Sequence, residues 1–173
     1  MVRIFISGNP GVGKTTLVLK VVEALKERGI SAGGFITQEV RERGRRVGFK
    51  IRALDTGEEG ILAWEGAPGP KIGKYGVNIA DLNEIGVRAM YRALKEADLV
   101  VIDEIGAMEF KSKAFSRALE EVLKSKKPLL AVLHRRWVKR FEGYGELYFL
   151  SIGNREQIGE EVMKRFTLLF EHR

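Results

Sequence analysis

The sequence contains no cysteine and only four prolines in 173 residues. The lack of cysteine excludes disulfide bonds and thiolate metal sites, and it leaves the redox environment undetermined. No apolar run approaches the roughly 20 residues that a transmembrane helix requires. The first predicted strand begins at the N-terminus and leaves no space for a signal peptide, so we expect a cytoplasmic protein without a membrane partner.

Hydrophobic residues make up 45% of the sequence and charged residues 31%, as in globular proteins. This length favours one domain, and we predict a single domain over residues 1–173 that acts as a monomer. The net charge of +7 is compatible with acidic partners, above all nucleotides. Nucleic acid is the less favoured partner because the basic residues form no long tract. A surface rich in Lys, Arg and Glu instead favours a thermostable protein.

A glycine-rich stretch near the N-terminus matches the phosphate-binding pattern G-x-x-x-x-G-K-S/T. Its residues are Gly8, Asn9, Pro10, Gly11, Val12, Gly13, Lys14 and Thr15, and Thr16 follows. Residues 2–6 predict a buried strand before it, and residues 16–28 predict an amphipathic helix after it. In that context backbone N–H groups bind phosphate, so we expect all nine residues to contact the nucleotide. We expect Lys14 at the β- and γ-phosphates as a catalytic residue, and the Thr15 hydroxyl at Mg²⁺.

The remaining apolar segments alternate between strand and helix patterns. A hairpin is predicted over residues 35–64, and the apolar run at residues 99–102 predicts a central parallel strand. One helix is predicted to begin at Asp81 as its N-cap, with Glu84 completing a capping box. Further strands are predicted at residues 129–133 and 147–150, and further helices at 112–126 and 154–170. The pattern predicts an α/β P-loop fold with a mainly parallel sheet flanked by helices, to which the hairpin adds antiparallel strands.

Two carboxylates, Asp103 and Glu104, directly follow the central strand. Ligands bind at this carboxyl end of an open α/β sheet. We expect Asp103 to hold Mg²⁺ opposite Thr15. Glu104 is the candidate base that orients and deprotonates an attacking water molecule. An aspartate at the metal followed by a glutamate favours hydrolysis of a nucleoside triphosphate.

Two alternative functions stay open. A nucleoside or nucleotide kinase must exclude water, usually beneath an arginine-bearing lid, and the candidate lid at residues 66–73 contains Lys71 but no arginine. A nucleic-acid-dependent ATPase would need a basic surface, for which residues 41–46 are one candidate. The guanine-selective signature Asn-Lys-x-Asp is absent, so we expect loose base selectivity.

Five further residues are open to a functional interpretation. His134 could sense the γ-phosphate, but a structural or surface role is favoured. Arg135 or Arg136 could neutralise transition-state charge, but a solvated helix face is the favoured interpretation. Trp64 and Tyr75 are interpreted as core residues rather than base-stacking ones.

The sequence resembles the small P-loop nucleoside triphosphatases, the family that includes the human cancer-related nucleoside triphosphatase. The matching blocks are residues 8–16, 34–41, 45–49, 101–110 and 154–155. The sequence Asp-Glu-Ile-Gly-x-Met-Glu in the fourth block is fairly specific. Two positions depart from the family, since Ala107 stands where a lysine is usual and Gln38 where a glutamate is frequent.

The resemblance implies a RecA-like sheet and slow, Mg²⁺-dependent hydrolysis of ATP, GTP, CTP and UTP or TTP to diphosphate and phosphate. It also implies that Asp103, Glu104, Ile105 and Gly106 contact the nucleotide. Catalysis would then depend on Lys14 and Glu104.

Overall fold

Nine β-strands form one mixed sheet in the computed structural model, which describes residues 1–171. In chain order they are β1 (Arg3–Gly8), β2 (Ala32–Glu42), β3 (Arg45–Ala53), β4 (Glu59–Glu65), β5 (Lys71–Ile72), β6 (Tyr75–Val77), β7 (Leu99–Ile105), β8 (Leu129–Leu133) and β9 (Glu146–Leu150). Their order across the sheet is β5-β6-β4-β3-β2-β7-β8-β1-β9. The predicted domain end at residue 173 lies outside the described residues.

Five neighbouring strands, β2, β7, β8, β1 and β9, are parallel, and the other four continue the sheet with antiparallel pairing. This arrangement confirms the predicted α/β fold with its antiparallel addition. Because β8 lies between β7 and β1, the carboxyl ends of these three strands are neighbours. β7 extends beyond the predicted run 99–102, so Asp103 and Glu104 lie within the strand rather than after it. The phosphate loop, Asp103, Glu104 and the segment after β8 therefore meet at one edge of the sheet.

Six α-helices accompany the sheet within residues 1–171. They are α1 (Lys14–Glu27), α2 (Ile79–Asp81), α3 (Arg88–Glu96), α4 (Lys113–Lys124), α5 (Val138–Phe141) and α6 (Arg155–Glu171). A π-helical segment, Leu82–Val87, joins α2 to α3, and 3₁₀ turns occupy Glu109–Lys111, Arg135–Trp137 and Glu142–Tyr144. No described helix combines the length and the apolar character needed to cross a membrane.

The sheet separates two hydrophobic cores because successive side chains of a strand point to opposite faces. Phe5 of β1 packs on one face with α3 and α4, whereas Ile4 and Ile6 pack on the other with α1 and α6. Tyr75 is buried, as predicted for a core residue, and Trp64 is half-buried. Burial of β1 on both faces explains the apolar run at residues 4–6 and anchors the phosphate loop that follows the strand.

The helical segment that begins with α2 starts earlier than predicted. Asn78, not Asp81, is the N-cap, because its side-chain oxygen accepts a hydrogen bond from the Asp81 backbone N–H at 3.0 Å. The Asp81 carboxylate instead accepts a bond from the Ile61 backbone N–H at 2.9 Å. Glu84 pairs with Arg88 at 3.3 Å rather than closing a capping box. Asn and Asp cap helices about equally well, so local sequence did not separate the two residues.

The candidate lid at residues 66–73 lies far from the phosphate loop. Part of it forms β5, which pairs with β6 at the end of the sheet remote from β1. Backbone hydrogen bonds from Gly66 to Lys74 (3.1 Å) and from Val77 to Pro70 (2.8 Å) hold the segment in place. Five strands separate β6 from β1, which is roughly 29 Å at the usual strand spacing. This segment therefore does not cover the site.

Candidate active site

The phosphate loop between β1 and α1 has backbone angles that glycine accommodates. The φ values are 142° for Gly8, 78° for Gly11 and 99° for Gly13. α1 begins at Lys14 with Gly13 as its N-cap, and no side chain caps its first turn. The backbone N–H groups of that turn can therefore bind an anion, as helix N-termini do in phosphate sites.

The Lys14 side chain folds back across the mouth of this loop. Its Nζ donates to the carbonyl oxygens of Gly8 at 2.6 Å and Asn9 at 3.3 Å. Burial lowers the pKa of the Lys14 amine, while the nearby carboxylates of Glu104 and Asp103 act in the opposite direction. The ammonium group thus lies between the loop and the carboxylates.

A direct hydrogen bond joins the two sequence motifs. The Thr15 hydroxyl donates to Asp103 Oδ2 at 2.7 Å, across 88 positions of sequence. Asp103 is 2% exposed, and burial raises the pKa of its carboxyl to about 7. The bond from Thr15, the charge of Lys14 and the backbone N–H of Thr37 favour the ionised form and limit this rise in pKa. Thr15 and Asp103 therefore link the start of α1 directly to β7.

The oxygen atoms of Thr15 and Asp103 suit a hard divalent cation. Mg²⁺ prefers oxygen ligands and commonly combines one or two protein groups with water and phosphate oxygens. Among residues 1–171, no three His, Asp or Glu side chains are grouped so as to hold a metal ion by themselves. Thr15 and Asp103 could therefore hold Mg²⁺ together with a nucleotide.

Glu104 shares its surroundings with a second acid, Glu109. Their Oε1 atoms lie 3.0 and 3.2 Å from the position that a Cβ on Gly106 would occupy, so glycine leaves room for both. Burial raises the pKa of Glu104, and the Lys14 cation opposes this. Burial and the charge of Glu104 raise the pKa of Glu109 well above its ordinary value. Glu104 is thus the carboxylate for which the Lys14 charge partly offsets the effect of burial on the pKa.

The other residues predicted to contact the nucleotide differ in their exposure to solvent. Asn9, Pro10, Gly11 and Thr16 are exposed, whereas Val12 and Gly106 are buried. Ile105 packs fully in the core, and its carbonyl oxygen accepts a bond from the His134 backbone N–H at 3.0 Å. Ile105 can therefore offer a nucleotide only its backbone.

The segment after β8 reaches both motifs. Arg135 Nη1 donates to the side-chain oxygen of Asn9 in the phosphate loop at 2.7 Å. His134 Nδ1 accepts the Arg136 backbone N–H at 3.1 Å and caps the 3₁₀ turn, which supports its structural interpretation. Burial and the charge of Lys14 lower the pKa of His134, so the fold favours the neutral imidazole. Arg135 is exposed, as expected, and its guanidinium also contacts the phosphate loop.

A cavity of about 680 Å³ between α1 and α6 adjoins the phosphate loop. Thr16 and Lys20 line it from α1, and Arg155 and Glu160 line it from α6. Arg155 Nη1 lies 3.6 Å from the position of a Cβ on Gly13, so the cavity begins at the loop itself. Sequence reasoning missed this cavity because it depends on β9 pairing with β1, which brings the first and last helices together.

Three of the four arginines in residues 41–46 are paired with carboxylates. Arg41 and Arg46 each lie 3.1 Å from Glu39, and Arg45 lies 2.7 Å from Glu65. These ion pairs neutralise much of the charge that a nucleic-acid site would need.

Known proteins are similar to this chain in sequence and in fold. Residues 3–163 match the family model described as NTPase. Nucleoside-triphosphatase THEP1 of Methanocaldococcus jannaschii is 60% identical over 163 residues, which cover 94% of this chain and 96% of that protein.

Two solved structures are also similar. The crystal structure of THEP1 from the hyperthermophile Aquifex aeolicus has a TM-score of 0.81 and 33% identity, covering 93% of this chain and 96% of that chain. The solution structure of a human cancer-related nucleoside triphosphatase has a TM-score of 0.79 and 28% identity, covering 96% and 97% respectively. The matches confirm the P-loop fold expected from the sequence. The chain belongs to the NTPase family.

Proposed function

We propose that this protein hydrolyses nucleoside 5′-triphosphates to diphosphate and phosphate in a Mg²⁺-dependent reaction. The observation that carries the proposal is the 2.7 Å hydrogen bond from Thr15 to Asp103, because it unites the phosphate loop and the carboxylate strand in one site. The similarity to proteins named nucleoside-triphosphatases supports the same reaction.

The triphosphate would bind to donors supplied by the phosphate loop. The uncapped N–H groups at the start of α1 favour phosphate oxygens. Lys14 Nζ, which lies at the carbonyl oxygens of Gly8 and Asn9, would turn to the β- and γ-phosphates. The Thr15 hydroxyl and the Asp103 carboxylate would hold Mg²⁺, which neutralises phosphate charge when bound.

Glu104 is the residue to which we assign water activation. Its carboxylate is half-buried beside Lys14. Burial raises the pKa of Glu104, which makes the carboxylate a stronger base, and the Lys14 cation opposes this rise. Glu104 would accept a proton as the water oxygen attacks the γ-phosphorus in line with the leaving diphosphate. The bond from the γ-phosphorus to the bridging oxygen breaks, and inorganic phosphate and the nucleoside diphosphate are released.

The nucleoside would lie in the cavity between α1 and α6. This cavity opens at Gly13, where the phosphate loop ends, and its volume of about 680 Å³ suits a base and ribose. Its polar lining comes mainly from the long charged side chains of Lys20, Arg155 and Glu160. Such side chains adapt to different hydrogen-bonding edges, so we propose loose selectivity among ATP, GTP, CTP and UTP. We also propose that the protein is active as a monomer.

The proposed reaction differs from that of a kinase in the molecule that accepts the γ-phosphoryl group. The acceptor is water in hydrolysis and a nucleoside or nucleotide in a kinase reaction. Purified protein with Mg²⁺ and each nucleoside triphosphate is assayed for inorganic phosphate, with and without a panel of nucleosides and nucleoside monophosphates. We expect phosphate release from all four nucleotides and no phosphorylated acceptor. Transfer to an acceptor, with little phosphate released, would favour the kinase. Turnover that rises with RNA or DNA at low salt, and falls again at high salt, would favour the nucleic-acid-dependent ATPase.

A further inference from the structure

Two cations converge on one residue of the phosphate loop. Lys14 Nζ contacts the backbone oxygen of Asn9 at 3.3 Å, and Arg135 Nη1 contacts its side-chain oxygen at 2.7 Å. The charge of Arg135 also contributes to lowering the pKa of Lys14, as expected for neighbouring like charges. Because Lys14 of this motif serves the β- and γ-phosphates, Arg135 lies at the γ-phosphate end of the loop.

Arg135 differs from those surface arginines that form ion pairs. Arg45, Arg92 and Arg165 each lie within 3.0 Å of a carboxylate oxygen. Within residues 1–171 the structure gives Arg135 no such partner, and its hydrogen-bond acceptor is the neutral amide of Asn9. An exposed guanidinium held beside an ammonium group is an arrangement suited to an anion with several charges.

The backbone that carries Arg135 is well anchored. The His134 backbone N–H donates to the Ile105 carbonyl at the end of β7 at 3.0 Å. The Trp137 ring packs against Phe110 with centroids 4.6 Å apart. The turn is therefore fixed between β1 and β7, while the long Arg135 side chain extends toward the phosphate loop. A side chain on such a base can change partner without movement of the fold.

We propose that Arg135 is a catalytic residue that exchanges Asn9 for the γ-phosphoryl group and neutralises the charge that develops there during hydrolysis. Arginine suits this role because its planar guanidinium stays charged and can donate two parallel hydrogen bonds to phosphoryl oxygens. Arginines supplied within the same chain act in this way in other P-loop enzymes. The inference rests on the proposed hydrolysis of nucleoside triphosphates.

The test compares Arg135→Ala and Arg135→Lys with Arg136→Ala as the matched control. Arg136 is the adjacent exposed arginine, and its side chain has no role in the proposed site. Single-turnover hydrolysis of Mg²⁺–ATP gives the chemical rate, and calorimetry with a non-hydrolysable ATP analogue gives the affinity. We expect Arg135→Ala to lower the rate roughly 10³-fold and to change the affinity less than about threefold. Added guanidinium ion should restore part of the lost rate, and Arg136→Ala should behave as the wild type.

A wild-type rate for Arg135→Ala would overturn the inference, as would a loss that appears wholly in nucleotide affinity. A loss without any rescue by guanidinium or by lysine would assign Arg135 a structural role instead and would also overturn it. Lys14→Ala separates this failure from failure of the proposed function. If Lys14→Ala is inactive and Arg135→Ala is normal, the protein is a hydrolase that does not use Arg135. If both hydrolyse normally, the proposed site itself is wrong.

Discussion

Replacing Asp103 with asparagine is expected to stabilise the protein at alkaline pH when neither metal nor nucleotide is present. The Asp103 side chain is 2% exposed, and burial raises the pKa of its carboxyl from 3.8 to about 7. The fold therefore favours the protonated acid. The stability that comes from this group is fully present below about pH 4 and is lost as the pH rises through 7.

The expected magnitude follows from the size of this shift. A difference of about 3 pKa units between the folded and unfolded states corresponds to roughly 4 kcal/mol of unfolding free energy above pH 8. Asparagine keeps the shape and carries no charge at any pH. As the pH rises from 4 to 8, the unfolding free energy of the Asp103→Asn variant should thus increase relative to that of the wild type by up to roughly 4 kcal/mol.

Guanidinium chloride unfolding in a chelating buffer, at pH 4 and at pH 8, measures this difference. Asp55→Asn is the control of opposite sign, because its ion pair with Arg92 lowers the pKa of Asp55. That variant should be less stable than the wild type at both pH 4 and pH 8, because the stability that comes from an Asp55 with a lowered pKa is lost only below about pH 4. A difference between Asp103→Asn and the wild type that does not depend on pH would refute the reasoning, as would a less stable Asp103→Asn at pH 8.

Three further outcomes are expected. Lys14→Ala removes the cation at the β- and γ-phosphates, so phosphate release should fall by orders of magnitude while circular dichroism shows an intact fold; wild-type turnover would contradict the site. Values of kcat/KM for ATP, GTP, CTP and UTP should agree within about tenfold, and a thousandfold preference would reveal a specific base pocket. Gly34→Ala should lower the unfolding free energy by at least about 3 kcal/mol, because Gly34 has φ 104° and a Cβ there would overlap the Val101 carbonyl; an unchanged denaturation midpoint would contradict this.

Local sequence was sufficient to predict the structural features that a single segment determines. The phosphate loop needs glycines between a buried strand and a helix, and β7 needs an apolar run covered on both faces, so both could be predicted. Asn78 and Asp81 are equally good N-cap residues. Which of them caps the helix depended on the hydrogen bond that the Ile61 backbone N–H, in β4, donates to Asp81. Propensity carries no information about such a partner.

Contacts between distant segments were beyond the same reasoning. Asn9 and Arg135 are 126 positions apart and meet because β8 inserts beside β1. The cavity between α1 and α6 likewise depends on β9 pairing with β1. Strand order decides both features, and the hydrophobic pattern of a single sequence leaves strand order largely open.

The central claim is that Asp103 holds the metal ion and that Glu104 activates the attacking water. Glu104→Gln preserves size and hydrogen bonding but removes the basic lone pair that would accept a proton from water. Nucleotide binding by calorimetry and single-turnover hydrolysis are measured on the same samples, with Glu120→Gln, an exposed change on α4, as the control.

These paired measurements on Glu104→Gln test the account most directly. The account predicts a hydrolysis rate roughly 10²–10⁴-fold below that of the wild type and an affinity for Mg²⁺–ATP that is unchanged or slightly higher, because a negative charge has left the phosphate site. Wild-type hydrolysis by Glu104→Gln would contradict it, since the base would then lie elsewhere, with Glu109 and His134 as the next candidates.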